Sequence, residues 1–248
     1  MVRLSTMDDT AIRWRSASYS NVGKVRQCNE DSFLDKTESG IWAIADGMGG
    51  HEAGDVASQT IVKRLNELTP RAYISDYTDL VEDCLLEINR ELLEYSRTEL
   101  NGLTIGSTVV CMIARGNLGV ALWVGDSRLY RLRGDDFVQL TKDHSEVQRL
   151  VDEGVISREQ AEKSAFKNVL TRAMGAHDVV EIDINAFDVK EGDRYLLCSD
   201  GVYNELEEAQ LIELTKCKNF NKITDKLTTA CLSTPARDNF TFIVIQSY

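Results

Sequence analysis

Proline is nearly absent from this 248-residue chain, which has only Pro70 and Pro235, and no proline-, glycine- or serine-rich tract divides it. That excludes a stiff linker between modules and points to one domain. The six cysteines show no C-x-x-C spacing, so neither a zinc knuckle nor a disulfide framework is implied. Histidine occurs at only three positions, His51, His144 and His177, and no G-x-S-x-G elbow exists, which removes the usual serine-hydrolase layout. Positive charge is in deficit: 28 Lys and Arg against 40 Asp and Glu give −12 and a pI near 4.8. A surface of that sign repels nucleic acid and anionic membrane. No apolar run approaches the length of a membrane span, and the first residues lack the continuous apolar stretch of a secretion signal, so a cytoplasmic protein is expected.

Acid is what remains, and its placement is patterned. Three apolar runs, Ile41 to Asp46, Ala121 to Asp126 and Tyr195 to Asp200, each stop on aspartate, and a fourth acid, Asp238, precedes the run from Phe240 to Ile245. Continuous apolar runs of this length read as strands buried on both faces. An acid at such an end is either a turn residue or a rigidly held ligand, and Asp46-Gly47 and Asp200-Gly201 could each be a simple turn. If the runs lie side by side, however, their carboxylates converge. Carboxylates in close quarters repel unless they share protons or bind a cation, and a hard divalent metal suits a set made only of oxygen.

Around these runs the chain alternates between blocks. Strands are expected at 16–22, 32–34 and 41–45, then amphipathic helices at 53–68 and 76–100, the second with Val81, Leu85, Ile88, Leu92 and Tyr95 at helical spacing. An antiparallel meander is expected over 108–140, with turns at Arg115-Gly-Asn, Gly125-Asp-Ser and Arg133-Gly-Asp. Residues 145–172 read as a polar, weakly patterned helical flap, followed by strands near 181–188 and 194–198, helices near 207–216 and 221–231, and a last strand. Strand blocks and helix pairs segregate rather than alternate, so the expected class is α+β, with two antiparallel sheets and helices packed outside.

Two C-x5-R matches, from Cys84 to Arg90 and from Cys231 to Arg237, have the spacing of thiol-dependent phosphatases but the wrong context. That chemistry needs a strand-to-helix loop of backbone N–H groups around phosphate. Cys84 falls mid-helix, and Cys231 ends a helix that leads into a strand.

Read in order, Arg26-Gln-Cys-Asn-Glu30-Asp31, Asp46-Gly-Met-Gly-Gly-His51, Gly106-Ser-Thr108, Gly125-Asp-Ser-Arg128, Leu140-Thr-Lys-Asp-His-Ser145, Leu170-Thr-Arg-Ala-Met-Gly175, Cys198-Ser-Asp-Gly201 and Asp238-Asn239 resemble the motif set of the metal-dependent protein phosphatases of type 2C, in their bacterial form. The resemblance runs from about residue 15 to the C-terminus. It implies an αββα sandwich, a single phosphatase domain over 15–248 behind a tail at 1–14, with a flap at about 145–170. It implies two Mn2+ or Mg2+ ions with a possible third, and hydrolysis of phosphoserine or phosphothreonine by a metal-activated water. Carried over by motif, Asp46, Asp200 and Asp238 resemble the ligands of one metal. Asp46 and the Gly47 carbonyl would reach the second, and Asp31, with Glu30, would hold it through water. Asp126 with Asp200 would form the additional site, and Arg26 would grip phosphate.

Met48 stands where eukaryotic relatives have a histidine, a proposed general acid, which leaves His51 as the candidate for that role. Ser164-Ala165 replaces the His-Pro of many bacterial relatives, and Asn204 has no role readable from the sequence. Expected partners are phosphoprotein substrates and a Hanks-type serine/threonine kinase that the enzyme opposes, with a monomeric state. The alternative is a catalytically weak or dead relative that binds phosphoproteins as a regulator. A phosphodiesterase or nuclease is disfavoured by charge.

Overall fold

The computed structural model describes residues 12–49, 53–162, 164 and 166–248. Among these residues, eleven strands form two antiparallel sheets. In chain order the elements are β1 (Trp14–Asn21), β2 (Asp31–Lys36), β3 (Ile41–Met48), α1 (Ala53–Asn66), α2 (Ile74–Thr98), β4 (Gly106–Ser107), β5 (Val109–Arg115), β6 (Leu118–Val124), β7 (Arg128–Arg133) and β8 (Asp136–Gln139). Then follow α3 (Glu146–Asp152), α4 (Arg158–Glu162), β9 (Asp183–Asp188), β10 (Arg194–Cys198), α5 (Asp200–Tyr203), α6 (Glu208–Thr215), α7 (Ile223–Ser233) and β11 (Phe240–Ser247). One sheet runs β1-β11-β10-β7-β8 and the other β2-β3-β5-β6-β9, with β4 added beside β3.

Two-residue alternation explains why the central strands read as unbroken apolar runs. In β3, Trp42 and Ile44 face the partner sheet while Ile41, Ala43 and Ala45 face α1 and α2. In β10, Tyr195 and Leu197 enter the inter-sheet core while Leu196 and Cys198 lie under α6 and α7. Three apolar layers therefore separate four layers of structure, α on β on β on α. The α2 stripe supplies Val81, Leu85, Ile88 and Leu92, all essentially inaccessible to solvent. Fully burying each such side chain is worth roughly 1.5–3 kcal/mol. Tyr95, expected on the same stripe, only packs against its edge.

Two expectations are corrected. The run over 108–140 is not one meander: β5 pairs with β6, β7 pairs with β8, and β6 and β7 belong to different sheets. The chain crosses between sheets at Gly125, whose φ of +106° lies in the left-handed region, and a Cβ there would come within 2.7 Å of Thr108 Cβ. Val124 consequently joins the layer beneath α1 and α2, whereas Tyr130 joins the one beneath α6 and α7. The flap is less helical than expected. Its polar sequence offers no stripe to bury, and among its described residues only the seven-residue α3 and five-residue α4 form. At the N-terminus, β1 begins at Trp14, one residue before the expected domain boundary.

Candidate metal centre

Strand register brings the first pair of acids together, because Asp31 and Asp46 face each other directly across β2 and β3. Asp46 sits inside β3 rather than at its end, since the strand continues to Met48. From the other sheet, Asp200 opens α5 just beyond β10, and Asp238 lies two residues before β11. Asp126 occupies the crossing between the sheets. The four acids singled out by pattern, and Asp31, thus gather at one end of the sandwich.

Their electrostatics are those of crowded carboxylates. Burial pushes Asp31 up to about 7, with the nearby hydroxyls of Thr241 and Ser199 opposing and the charges of Asp200 and Asp238 adding to it. Burial, then the charges of Asp31, Asp200, Asp126 and Asp238, hold Asp46 well above the usual carboxylate range, although the residue keeps some solvent contact. Asp126 is raised to about 7 by burial and by Asp200 and Asp143, and Asp200 to about 6 by burial and Asp238. Glu30 is raised too, by burial first, with Arg26 opposing and Asp55 contributing. Each of these acids therefore releases its proton at a higher pH than it would in water.

Several of the oxygens already have partners. Asp238 Oδ2 accepts from Arg26 Nη2 at 2.7 Å and its Oδ1 from the Asn239 N–H at 2.9 Å. Asp200 Oδ2 accepts from Asn204 Nδ2 at 3.0 Å, and Asp31 Oδ2 from Ser199 Oγ at 2.8 Å. With Asp238 turned to Arg26 and Asp200 to Asn204, no three such side chains among the described residues stand as a closed coordination set. Asp31 Oδ1 is different: it is buried with no hydrogen-bond partner among the described residues. An orphaned carboxylate oxygen amid four mutually repelling acids fits a hard cation, and an all-oxygen donor set favours Mg2+ or Mn2+ over Zn2+.

The two Asp-Gly pairs are not turns. Neither Gly47 nor Gly201 has a positive φ, and each instead allows two backbones to touch. A Cβ on Gly47 would sit 2.0 Å from Gly54 O at the start of α1, and one on Gly201 would sit 1.9 Å from Asn239 O. Close approach, not chain reversal, is why glycine follows each aspartate.

Other motif residues hold the acids in place. The Asp46 backbone is pinned on both sides, its N–H donating to Thr108 Oγ1 at 3.1 Å and its carbonyl accepting from Thr108 N at 2.8 Å and Ser107 Oγ at 3.0 Å. Asn239 clamps the loop that carries Arg26 and Glu30, accepting from Glu30 N at 2.8 Å and donating to the carbonyls of Val22 and Cys28, both at 3.0 Å. His144 Nδ1 accepts from the Gly125 N–H at 3.1 Å while its backbone N–H returns a bond to Gly125 O at 2.9 Å, fixing the crossing. Burial lowers the His144 pKa, in keeping with a neutral ring.

The structure also gives roles to residues for which the sequence offered none. Ser199 bridges Asp31 and the Thr241 N–H (3.0 Å), and Asp55 in the first turn of α1 faces Glu30 electrostatically. Asn204, opaque in the sequence, links Asp200 to the flap, since its Oδ1 accepts from Lys167 Nζ at 3.2 Å. A side-chain amide three residues beyond a glycine carries no signal of its own. His51 and Ala165 lie outside the described residues, while Ser164 is partly buried.

The thiols lie where their sequence context put them. Cys84 lies within α2 and Cys231 within α7, and burial pushes them up to about 11 and about 12, far from a thiolate at neutral pH.

Comparison with known proteins agrees with this geometry. The protein phosphatase 2C family pattern matches residues 22–238. The serine/threonine phosphatase stp of Listeria innocua is 36% identical over 232 residues, spanning 90% of this chain and 92% of its own. Among solved structures, PppA, a key regulatory component of T6SS in Pseudomonas aeruginosa, superposes with a TM-score of 0.89 at 38% identity, covering 96% of this chain and 99% of that one. The catalytic domain of the serine/threonine protein phosphatase PstP, in complex with 2 manganese ions, gives 0.85 at 33% identity, covering 96% and 99%. With five acids from two sheets gathered at the end of such a sandwich, the chain belongs to the protein phosphatase 2C family.

Proposed function

We propose that the protein is a metal-dependent phosphatase that removes phosphate from phosphoserine or phosphothreonine in proteins and opposes a serine/threonine kinase. The observation that carries this reading is the convergence of Asp31, Asp46, Asp126, Asp200 and Asp238 beside one arginine, with Asp31 Oδ1 left unpartnered among the described residues. Asp46, Asp200 and Asp238 would hold one cation. Asp46, the Gly47 carbonyl and Asp31, with Glu30, would hold a second, and Asp126 with Asp200 a third. When bound, such cations supply Lewis-acid charge and make a water nucleophilic near neutral pH.

The remaining work belongs to the chain. Arg26 uses one Nη on Asp238 and is half exposed (53%), and its other N–H groups, which have no partner among the described residues, can grip phosphoryl oxygens in a planar fork. That placement sets the phosphate beside the carboxylates, and Asp238 would have to turn from Arg26 toward a cation as Arg26 takes up the phosphoryl oxygens. The thiols play no part. The serine or threonine alkoxide is a poor leaving group that gains from protonation, and His51 is the proposed donor, worth about 10² to 10⁴ in rate if correctly positioned.

A chain that carries −12 at pH 7 suits a substrate recognised by its phosphate rather than by nucleic-acid contacts. Among the described residues no helix is long and apolar enough to cross a membrane. A cytoplasmic, monomeric enzyme is part of the same proposal.

Phosphate release from a phosphothreonine peptide, measured after exhaustive chelation and again with manganese restored, tests the reading. Activity should vanish with chelation, return with manganese, survive iodoacetamide and be abolished in Asp46→Asn. Peptide binding without release in the manganese-loaded wild type would establish instead the catalytically dead regulator.

A further inference from the structure

We propose that Arg128 and Tyr203 are positioning residues that hold Asp126 and Asp200 at a set separation and so determine how tightly these two carboxylates share a cation. The inference rests on the metal-dependent reading above and deepens it. Arg128 is paired directly with Cys198 across β7 and β10. It follows Asp126 by two residues, and Cys198 precedes Asp200 by two, so the acids leave the same end of neighbouring strands, each two residues beyond the paired positions. Register alone does not fix their spacing.

A closed ring of contacts does. The Arg128 guanidinium lies over the Tyr203 ring at 3.6 Å from its centroid, and the Tyr203 hydroxyl donates to the Asp126 carbonyl at 3.0 Å. Tyr203 ends the single helical turn that Asp200 begins. The path therefore runs from Asp126 through Arg128 to Tyr203 and back to Asp126, with Asp200 attached on the Tyr203 side. Arg128 cannot swing out of this ring. Its Nε bonds both oxygens of Asp143 at 3.0 and 3.1 Å, its Nη2 bonds Asp143 Oδ2 at 2.6 Å, and its Nη1 donates to Tyr130 Oη at 2.9 Å. Asp143 is held in turn by Gln139 Nε2 at 2.8 Å.

Planarity is required twice, once for the bidentate grip on Asp143 and once for stacking on Tyr203, and lysine supplies neither. Arg128 and Tyr203 touch no substrate in this scheme; they act through the loop and the helical turn that bear the acids.

The test is calorimetric titration of manganese into the chelator-treated full chain, with thermal melts and kcat and KM for a phosphothreonine peptide measured on the same samples. Asp126→Asn should remove the weakest binding step. Tyr203→Phe, which keeps the ring and deletes one hydroxyl, should raise the Kd of that step about fivefold, the effect of one ordinary hydrogen bond, and leave the tighter steps alone. Arg128→Lys should weaken the same step more than tenfold. Should Arg128→Lys fail to fold, Tyr203→Phe decides alone. If Asp126→Asn removes a step but Tyr203→Phe changes none by more than twofold, or weakens all steps equally, the positioning role is wrong while the site stands. If Asp126→Asn removes no step, Asp126 and Asp200 do not share a cation and the inference falls with that assignment, whereas manganese-dependent phosphate release would still support the phosphatase.

Discussion

Removing the negative charge at Asp126 should stabilise the metal-free protein, and should do so increasingly as pH rises. Burial and the neighbouring acids raise this carboxyl from 3.8 to about 7, and the residue is 7% exposed. An acid with a raised pKa in the folded state costs nothing below its unfolded value, since both states are then protonated. Its destabilisation grows above that pH and is complete once pH passes the folded value. Three units at about 1.4 kcal/mol each give about 4 kcal/mol at pH 8, against under about 2 kcal/mol at pH 5. The amide introduced by Asp126→Asn has no proton to lose, so the gap between variant and wild type should follow that curve. For a domain of this size the gap at pH 8 corresponds to a Tm higher by about 8–16 °C in the variant. Thermal melts of both proteins at pH 5 and pH 8, in chelator, measure it. Adding manganese should reverse the order, because only the wild type keeps the carboxylate for the cation. A variant no more stable than wild type at pH 8, or a gap that does not change between the two pH values, would refute the argument that this acid is held against its own repulsion.

Arg26→Lys keeps the charge but not the fork, and steady-state assays on a phosphothreonine peptide should show KM rising more than kcat falls; unchanged kinetics would make Arg26 structural. His51→Ala should slow that peptide far more than nitrophenyl phosphate, whose leaving group departs without a proton, and equal losses on both would exclude a general acid. Gly201→Ala forces a Cβ to 1.9 Å from Asn239 O, a backbone atom, so urea melts should show a loss of at least about 1–3 kcal/mol together with lost activity.

Much of this architecture is visible in the chain because the two periodicities are clean. The α2 stripe repeats at helical spacing, and β3 and β10 read as unbroken apolar runs since both of their faces are buried. The crossing at Gly125 was not legible. A glycine-containing turn between two apolar runs looks the same whether the runs pair with each other or with separate sheets, and only long-range pairing distinguishes the cases. Asp46, Asp126, Asp200 and Asp238 were legible as acids at the ends of runs, but the contacts their supports make were not. Ser199, Asn204 and Asn239 act through hydrogen bonds to partners between 4 and 217 residues distant, and no local pattern records such contacts. The glycine after each aspartate suggested a turn, whereas the reason for it lies on another strand or helix that the local sequence does not mention.

Because Asp31 and Asp46 belong to one sheet and Asp200 and Asp238 adjoin the other, the cluster exists only where the two halves of the sandwich meet. A cation held there would act as a rivet through the joint. Neither half alone presents the full donor set, so uptake of metal would report completed assembly rather than local order, and bound metal would resist sliding of one sheet over its neighbour. Every tenfold excess of cation over its dissociation constant would then add about 1.4 kcal/mol against opening that joint, tying the protein's lifetime to the supply of the same ion its chemistry requires.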